Sequence, residues 1–261
     1  MCNVWEGSMR ITKSIYLVGD TPLGLTEGGD CHVYLIKGRE GLFLIDAGNG
    51  YDTEGLIRSI QSEGFNPENI SHILLTHHHT DYARGARALK DRFGCQVWIS
   101  GNAGKYMLEQ GNDEELWVND AKACGLYAPD YFYIHCPVDH PVRDTEEFKI
   151  GGVSITAMNI TGHSPDSMCY IMELDGLKCM FDGDIFFWGG ILGLINYPGS
   201  NLIDYHISLP RLDGLGIEGL FPGHGLFCVK GGQAVIDSAI KNLQAGVFVP
   251  YSVGQLPIGG L

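Results

Sequence analysis

Apolar residues recur along this chain in two distinct periods. Short runs rich in β-branched and aromatic residues lie at 14–18, 32–37 and 41–46. They are punctuated by Gly28-Gly29-Asp30, Gly38-Arg39-Glu40-Gly41 and Ala47-Gly48-Asn49-Gly50. Runs of this kind, bounded by glycine-rich turns, predict strands. Over 52–64 the spacing changes: Leu56, Ile57 and Ile60 share one helical face, with Asp52 or Thr53 as the cap. Asn66-Pro67 breaks that helix. A buried strand follows over 70–76, then a helix over 82–93 and a strand over 95–100.

The pattern loosens between 102 and 144. Helical spacing is legible at 105–110 and 114–124, and 127–136 is aromatic and irregular. This stretch is predicted to be a helical, aromatic insertion or lid. Strands resume at 148–150, 153–160, 168–174 and 177–182. Helices over 203–212 and 232–243 flank a short strand at 219–221. Strand-then-helix order in both halves predicts an α/β sandwich with sheets inside and helices outside. No repeat, low-complexity tract or linker divides the chain, so residues 1–261 are expected to form one domain.

Composition narrows the functional classes. The 261 residues carry 17 Lys+Arg against 31 Asp+Glu, a net charge of −14. A field of that sign repels phosphate backbones, which excludes general nucleic-acid binding. It also draws cations into an acidic cleft. No apolar run has the ~18 residues of a membrane span, and the N-terminus lacks a basic region followed by an apolar stretch. The eight cysteines contain no CxxC pair, so neither a zinc ribbon nor a dithiol redox motif is expected. They are read as reduced thiols of a cytoplasmic protein, with Cys31, Cys95, Cys169 and Cys179 free in or beside strands.

The strongest chemical feature is Thr76-His77-His78-His79-Thr80-Asp81, at the end of an apolar strand. Imidazoles and a carboxylate on one loop suit zinc, iron or manganese. Three later segments place further candidates in tight turns at strand ends: Gly162-His163-Ser164-Pro165, Asp182-Gly183-Asp184 and Pro222-Gly223-His224-Gly225. Gathering ligands from several strand ends onto one sheet edge is how an α/β scaffold builds a rigid site. His78 alternates away from its neighbours and is not expected to be a ligand. His32, His72, His135, His140 and His206 are expected on the surface or satisfied in the core. Ser164 is read as a turn residue rather than a nucleophile.

In their order, these residues resemble the metallo-β-lactamase superfamily. Its pattern is HxHxDH, a later His, an Asp after a Gly, and a His in a PGHG-like turn. The counterparts here are His77, His79 and Asp81, then His163, Asp184 and His224. The resemblance runs from about residue 14 to about 243 and implies a four-layer αβ/βα sandwich. It also implies one metal on His77, His79 and His163, and a second on Asp81, residue 82 and His224, bridged by Asp184. Asp184 is preferred to Asp182 as the bridge because it follows Gly183. Asp46 matches an early strand-end Asp that orients a ligand. One position departs from the pattern: Tyr82 stands where the family has the last His of HxHxDH. Three readings stay open. Tyr82 is a ligand and favours a hard metal; or it is uncoordinated and leaves a second site of Asp81, Asp184 and His224; or the second site is empty.

The implied chemistry is hydrolysis by a metal-activated hydroxide, with one or two divalent ions, zinc first and iron or manganese as alternatives. Asp81 would orient the hydroxide or shuttle its proton. Phe187 stands three positions after the bridging Asp, where the family's lactonases carry Tyr, which argues against such a lactonase. Aromatic residues in the insertion (Tyr106, Trp117, Tyr127, Tyr131, Phe132, Tyr133) and after the site (Phe186, Phe187, Trp188, Tyr197) suggest an apolar pocket, although core packing accounts for most of them singly. The expected substrate is a small apolar or aromatic ester, thioester, lactone or amide. Neither nucleic acid nor membrane is an expected partner, and a homodimer is compatible with the sequence. The alternatives are an iron redox enzyme of the same fold, similar to persulfide dioxygenases, and a metal-poor binding protein without catalysis.

Overall fold

In the computed structural model, which describes residues 7–125 and 127–246, the strands form two large sheets. The first contains β1 (Met9–Arg10), β2 (Ile15–Gly19), β3 (Val33–Lys37), β4 (Leu42–Ile45), β5 (Ile70–Leu74), β6 (Gln96–Ser100) and β7 (His140–Val142), side by side in chain order. Pairing is antiparallel up to β4 and parallel from β4 to β7. The second is built from β8 (Glu147–Ile150), β9 (Val153–Asn159), β10 (Met168–Leu174) and β11 (Leu177–Gly183). A hairpin of β12 (Phe186–Phe187) and β13 (Ile191–Leu192) follows, and β14 (Gly219–Pro222) then pairs parallel to β11 at the sheet edge. The helices are α1 (Thr53–Ser62), α2 (Thr80–Ala83), α3 (Ala86–Phe93), α4 (Gly104–Gln110), α5 (Val118–Ala123), α6 (Leu202–Ser208) and α7 (Gly232–Gln244).

Side chains alternate across each strand, and that alternation produces three apolar layers between four structural ones. In β3 and β4, Tyr34, Ile36, Phe43 and Ile45 point inward and meet Ile155, Ala157, Tyr170, Met172 and Phe181 of the second sheet. Their neighbours Val33, Leu35, Leu42 and Leu44 point outward and meet Leu56 and Ile60 of α1 and Ala86 and Leu89 of α3. On the far side, Cys169, Ile171 and Met180 pack under Tyr205 of α6 and Val235, Ile236 and Ala239 of α7. Strands buried on both faces read as continuous apolar runs, which is why they were visible in the sequence. Each fully buried aliphatic side chain contributes roughly 1.5–3 kcal/mol. The result is the expected four-layer αβ/βα sandwich.

Two expected elements differ. The helix expected over 82–93 is split into α2 and α3 at Arg84-Gly85. Gly85 N donates to Gly48 O at 2.9 Å, and a Cβ on Gly85 would overlap Ala47 O. The chain therefore breaks where it presses against the turn after β4. Gly85→Ala is expected to cost about 1–3 kcal/mol, as other overpacked sites do, seen as a lower denaturant midpoint at unchanged slope. The helix expected over 114–124 begins only at Val118, because Trp117 takes a left-handed conformation with φ of 55°.

The stretch 102–144 is packed along its length. Leu108, Leu116, Val118, Tyr131, Tyr133 and Cys136 join the outer core of the first sheet, and its end is β7, parallel to β6. The cysteines among the described residues are free, with Cys31, Cys95, Cys169 and Cys179 buried; Cys2 lies outside the described residues. Among the described residues no helix is long and apolar enough to cross a membrane.

Candidate metal centre

Strand ends from both sheets converge on one edge of the sandwich. Met168 N donates to Thr76 O at 2.8 Å, Gly223 N to Gly183 O at 2.7 Å, and His32 N to Gly223 O at 2.7 Å. These backbone bonds tie the end of β5 to the start of β10, and the turns after β11 and β14 to each other and to the start of β3.

His77, His79 and His163 are buried together, with ring centroids 4.5–4.8 Å apart. Their ligand-capable nitrogens lie within 4.8 Å of one another. His163 Nδ1 is 2.6 Å from Gly193 O, so its Nε2 faces the cluster, 3.0 Å from His79 Nδ1. His77 Nδ1 is 3.1 Å from Thr76 Oγ1. Asp46 supports Thr76, accepting from its amide at 2.7 Å and its hydroxyl at 3.0 Å. The carboxylate thus orients His77 through Thr76, an arrangement that fixes an imidazole's tautomer. Burial, then the neighbouring imidazoles, push the His77 and His79 pKa values well below the usual 6.5. Both rings are neutral at physiological pH, the form that ligates metal.

The second group lies beside the first. Asp81 Oδ2 is 3.0 Å from His224 Nε2, and Asp184 Oδ2 is 3.7 Å from His163 Nε2. Tyr82 is fully buried, and its hydroxyl donates to Asp184 Oδ1 at 2.5 Å. Its ring is 4.1 Å from that of His77. Burial first, then the Asp184 charge, raises the Tyr82 pKa well above 10, which keeps it a neutral donor. A Cβ on Gly223 would overlap the Tyr82 hydroxyl, so this turn needs glycine for the phenol to fit. Asp182 is buried in β11 and, two positions after Met180, shares that residue's face by alternation, outside the histidine group.

The donor set fits a divalent ion. His77 Nε2, His79 Nε2 and His224 Nδ1 are buried with no hydrogen-bond partner. Buried polar atoms are rarely left unpaired, and His77 and His79 belong with His163 to one group of close ligand atoms, a donor set that suits zinc, iron or manganese.

Burial opposes protonation of His224, but Asp184, Asp81 and Asp20 outweigh it and raise its pKa to about 9. Without an ion His224 is therefore protonated at pH 7, and an ion held through that ring would have to displace the proton. The raised pKa makes the proton-bound state stabilising below about pH 6.5, and that stabilisation is lost as pH climbs through about 9. Any ion binding at His224 should tighten up to about tenfold per unit as pH rises toward about 9, while binding at the triad, already neutral, would stay nearly flat. Calorimetric titration in buffers of different ionisation enthalpy reads the one released proton.

Several contributors had no signal in the sequence. His32 is buried, with Nε2 3.0 Å from Asp20 Oδ2 and Nδ1 3.0 Å from Pro222 O, so it braces the turn that carries His224. His78 is fully buried and points away from the triad, onto Asp166 at 2.8 Å and the Tyr197 hydroxyl at 3.0 Å. His135 and His206 are exposed. Of the expected pocket aromatics, Tyr197 lies on the His79 ring at 4.2 Å, Trp117 stands 6.0 Å from Tyr197, and Tyr127 stacks on Tyr131 at 4.2 Å. Tyr127 also hydrogen-bonds Thr80. Phe186 and Phe187 are buried, whereas Tyr106, Phe132 and Trp188 are exposed.

The family model of the metallo-beta-lactamase superfamily matches residues 26–224. A hydroxyacylglutathione hydrolase of Haemophilus influenzae is 30% identical over 155 residues, 59% of this chain and 65% of that protein. An atrochrysone carboxyl ACP thioesterase of Aspergillus fumigatus is 28% identical over 214 residues, 82% of this chain and 56% of that protein. The chain thus spans less than two thirds of the length of these relatives. A native metallo-β-lactamase from Legionella gormanii superposes with a TM-score of 0.71 at 20% identity, covering 92% of this chain and 95% of that one. At that identity the likeness shows the fold.

Proposed function

We propose that the chain, which belongs to the metallo-β-lactamase superfamily, is a metal-dependent hydrolase of a thioester with an apolar or aromatic acyl group. The observation that carries this reading is the buried group of His77, His79 and His163, whose ligand atoms lie within 4.8 Å of one another, with Nε2 of His77 and of His79 unpartnered. His77, His79 and His163 would hold one divalent ion, and Asp81, Asp184 and His224 a second, with zinc the first choice. A bound ion supplies Lewis-acid polarisation of a carbonyl and a water acidic enough to attack at neutral pH.

The chain's own residues supply the rest. Asp81, partly exposed beside His224, accepts the proton of the attacking water. Tyr82 holds Asp184 in place by its hydrogen bond and is read as a partner of that carboxylate rather than a ligand. Tyr197, Trp117 and Tyr127 provide an apolar surface beside His79 for the acyl group. Tyr82 and Tyr197 donate elsewhere, to Asp184 and to Glu115 O. A leaving group that departs without a proton therefore suits the site. A thiolate does so, since a thiol's pKa is about 8.5; an amide nitrogen does not. The thioesterase name of one relative points the same way.

Metal analysis of protein purified without added metal, paired with thiol-release assays on acyl thioesters, tests the reading. Zinc in the protein, thiol release that chelation abolishes, and recovery on adding zinc are expected. Iron with no thiol release would instead support the redox alternative, and a metal-free, inactive protein the binding alternative.

A further inference from the structure

A buried polar chain runs behind the metal triad. Ser164 Oγ donates to Asp166 Oδ1 at 2.7 Å. The same carboxylate oxygen is 2.8 Å from His78 Nδ1, and His78 Nε2 is 3.0 Å from the Tyr197 hydroxyl. Tyr197 in turn donates to Glu115 O at 3.2 Å. With Nδ1–H given to the Asp166 carboxylate, a neutral His78 presents Nε2 as an acceptor, so the Tyr197 hydroxyl lies between two acceptors, His78 Nε2 and Glu115 O. Ser164, Asp166 and His78 are all essentially inaccessible to solvent, whereas Tyr197 and Trp117 are only partly buried. The chain thus starts inside the protein and ends on an accessible aromatic surface.

Its terminus has a defined position. The Tyr197 ring packs on His79 at 4.2 Å and faces Trp117 at 6.0 Å. Trp117 itself sits in the left-handed region at φ of 55°, a conformation costly for a bulky residue and kept where surroundings over-determine it. Gly104, at the start of α4, is placed so that a Cβ would press on Asp166 Oδ2 at 2.8 Å. The insertion therefore meets this chain at two points, Gly104 and Glu115.

We infer that His78 and Asp166 are positioning residues: acting through Tyr197, they hold the 112–117 segment and the Tyr197 ring as the wall against which the substrate's acyl group is selected. The wall's role in selection rests on the thioesterase reading above; the anchoring does not. His78 sits between two ligands yet points away from them, so its position in the HxH motif serves the acyl side of the site.

The test uses side chains that keep half of the imidazole. In His78→Asn the amide reaches only as far as Nδ1, keeping Asp166 and losing Tyr197. In His78→Gln the amide reaches the Nε2 position, keeping Tyr197. Tyr197→Phe removes the hydroxyl and keeps the ring. His78→Asn and Tyr197→Phe should each raise KM for aromatic acyl thioesters of one short alkyl thiol by about tenfold, in line with losses at supporting residues. In His78→Asn the acetyl thioester, kcat and metal content should change little. His78→Gln should retain the wild-type acyl ranking, and the double variant His78→Asn/Tyr197→Phe should be no worse than either single one. Hydrogen exchange in 112–124 should quicken in both single variants. Additive KM effects, a fall in metal content matching the loss of activity, or an unchanged acyl ranking in both variants would overturn the selective wall. Unchanged exchange in 112–124 would overturn the anchor, whatever the activity. If wild-type protein carries metal yet hydrolyses no thioester, the thioesterase reading and the wall fall together, and exchange still decides the anchor.

Discussion

His79→Ala is expected to empty the histidine triad and to lower thiol release by at least about 1,000-fold. Lewis-acid stabilisation by a bound ion is worth several kcal/mol, and each 1.36 kcal/mol is a factor of ten in rate. The ring lies in a small cluster at the rim of the sandwich, 9% exposed, and it belongs to none of the three apolar cores, so the fold should persist. Asp184→Ala should behave alike in metal content but unfold more easily, because it also leaves the buried Tyr82 hydroxyl without its acceptor. Metal content after gel filtration, with circular dichroism as the fold control, checks both. Full metal in either folded variant would rule out that residue as a ligand.

Tyr82→Phe should separate the three readings of that position. The structure has the phenol donating to Asp184 Oδ1 from a fully buried ring. Losing a hydrogen bond to a charged group costs about 1.5–3 kcal/mol, so metal-stripped Tyr82→Phe should melt earlier. Its metal content should be nearly that of wild type. Tyr82→His, which restores an imidazole beside Asp81, should raise zinc occupancy of the second group. Calorimetric titration of stripped protein distinguishes the outcomes. Loss of one equivalent in Tyr82→Phe, with the triad still binding, would make Tyr82 a ligand and the centre one of iron or manganese.

The sandwich was legible because its strands are buried on both faces: 33–36, 42–45 and 168–172 are unbroken apolar runs that need two partners. The turns that carry the candidate ligands were legible because histidine and aspartate stand beside glycine or proline at strand ends. What stayed hidden depends on contacts between residues distant in sequence. The break at Gly85 comes from the Ala47–Gly48 backbone, about which residues 82–93 carry no information. Thr76 looked like the end of a strand, and only the fold shows it joining Asp46 to His77. Asp166 and Tyr197 are ordinary turn residues in sequence and meet His78 only once the sheets stack. Strands as short as β1, β7, β12 and β13 carry too few residues for a period to show.

The candidate ligands are divided between the sheets: His77, His79 and Asp81 follow β5, whereas His163, Asp184 and His224 follow strands of the second sheet. His79 and His163 are 84 residues apart, and Asp81 and His224 are 143 apart. An ion held by both sets is a cross-link between distant parts of the polymer, and closing loops of that length removes much of the unfolded chain's freedom. The energetic logic is that of a long-range disulfide, made by coordination and reversible by chelation. Metal uptake and docking of the two sheets then become one linked equilibrium. During synthesis the full candidate set exists only once His224, which follows β14, has emerged.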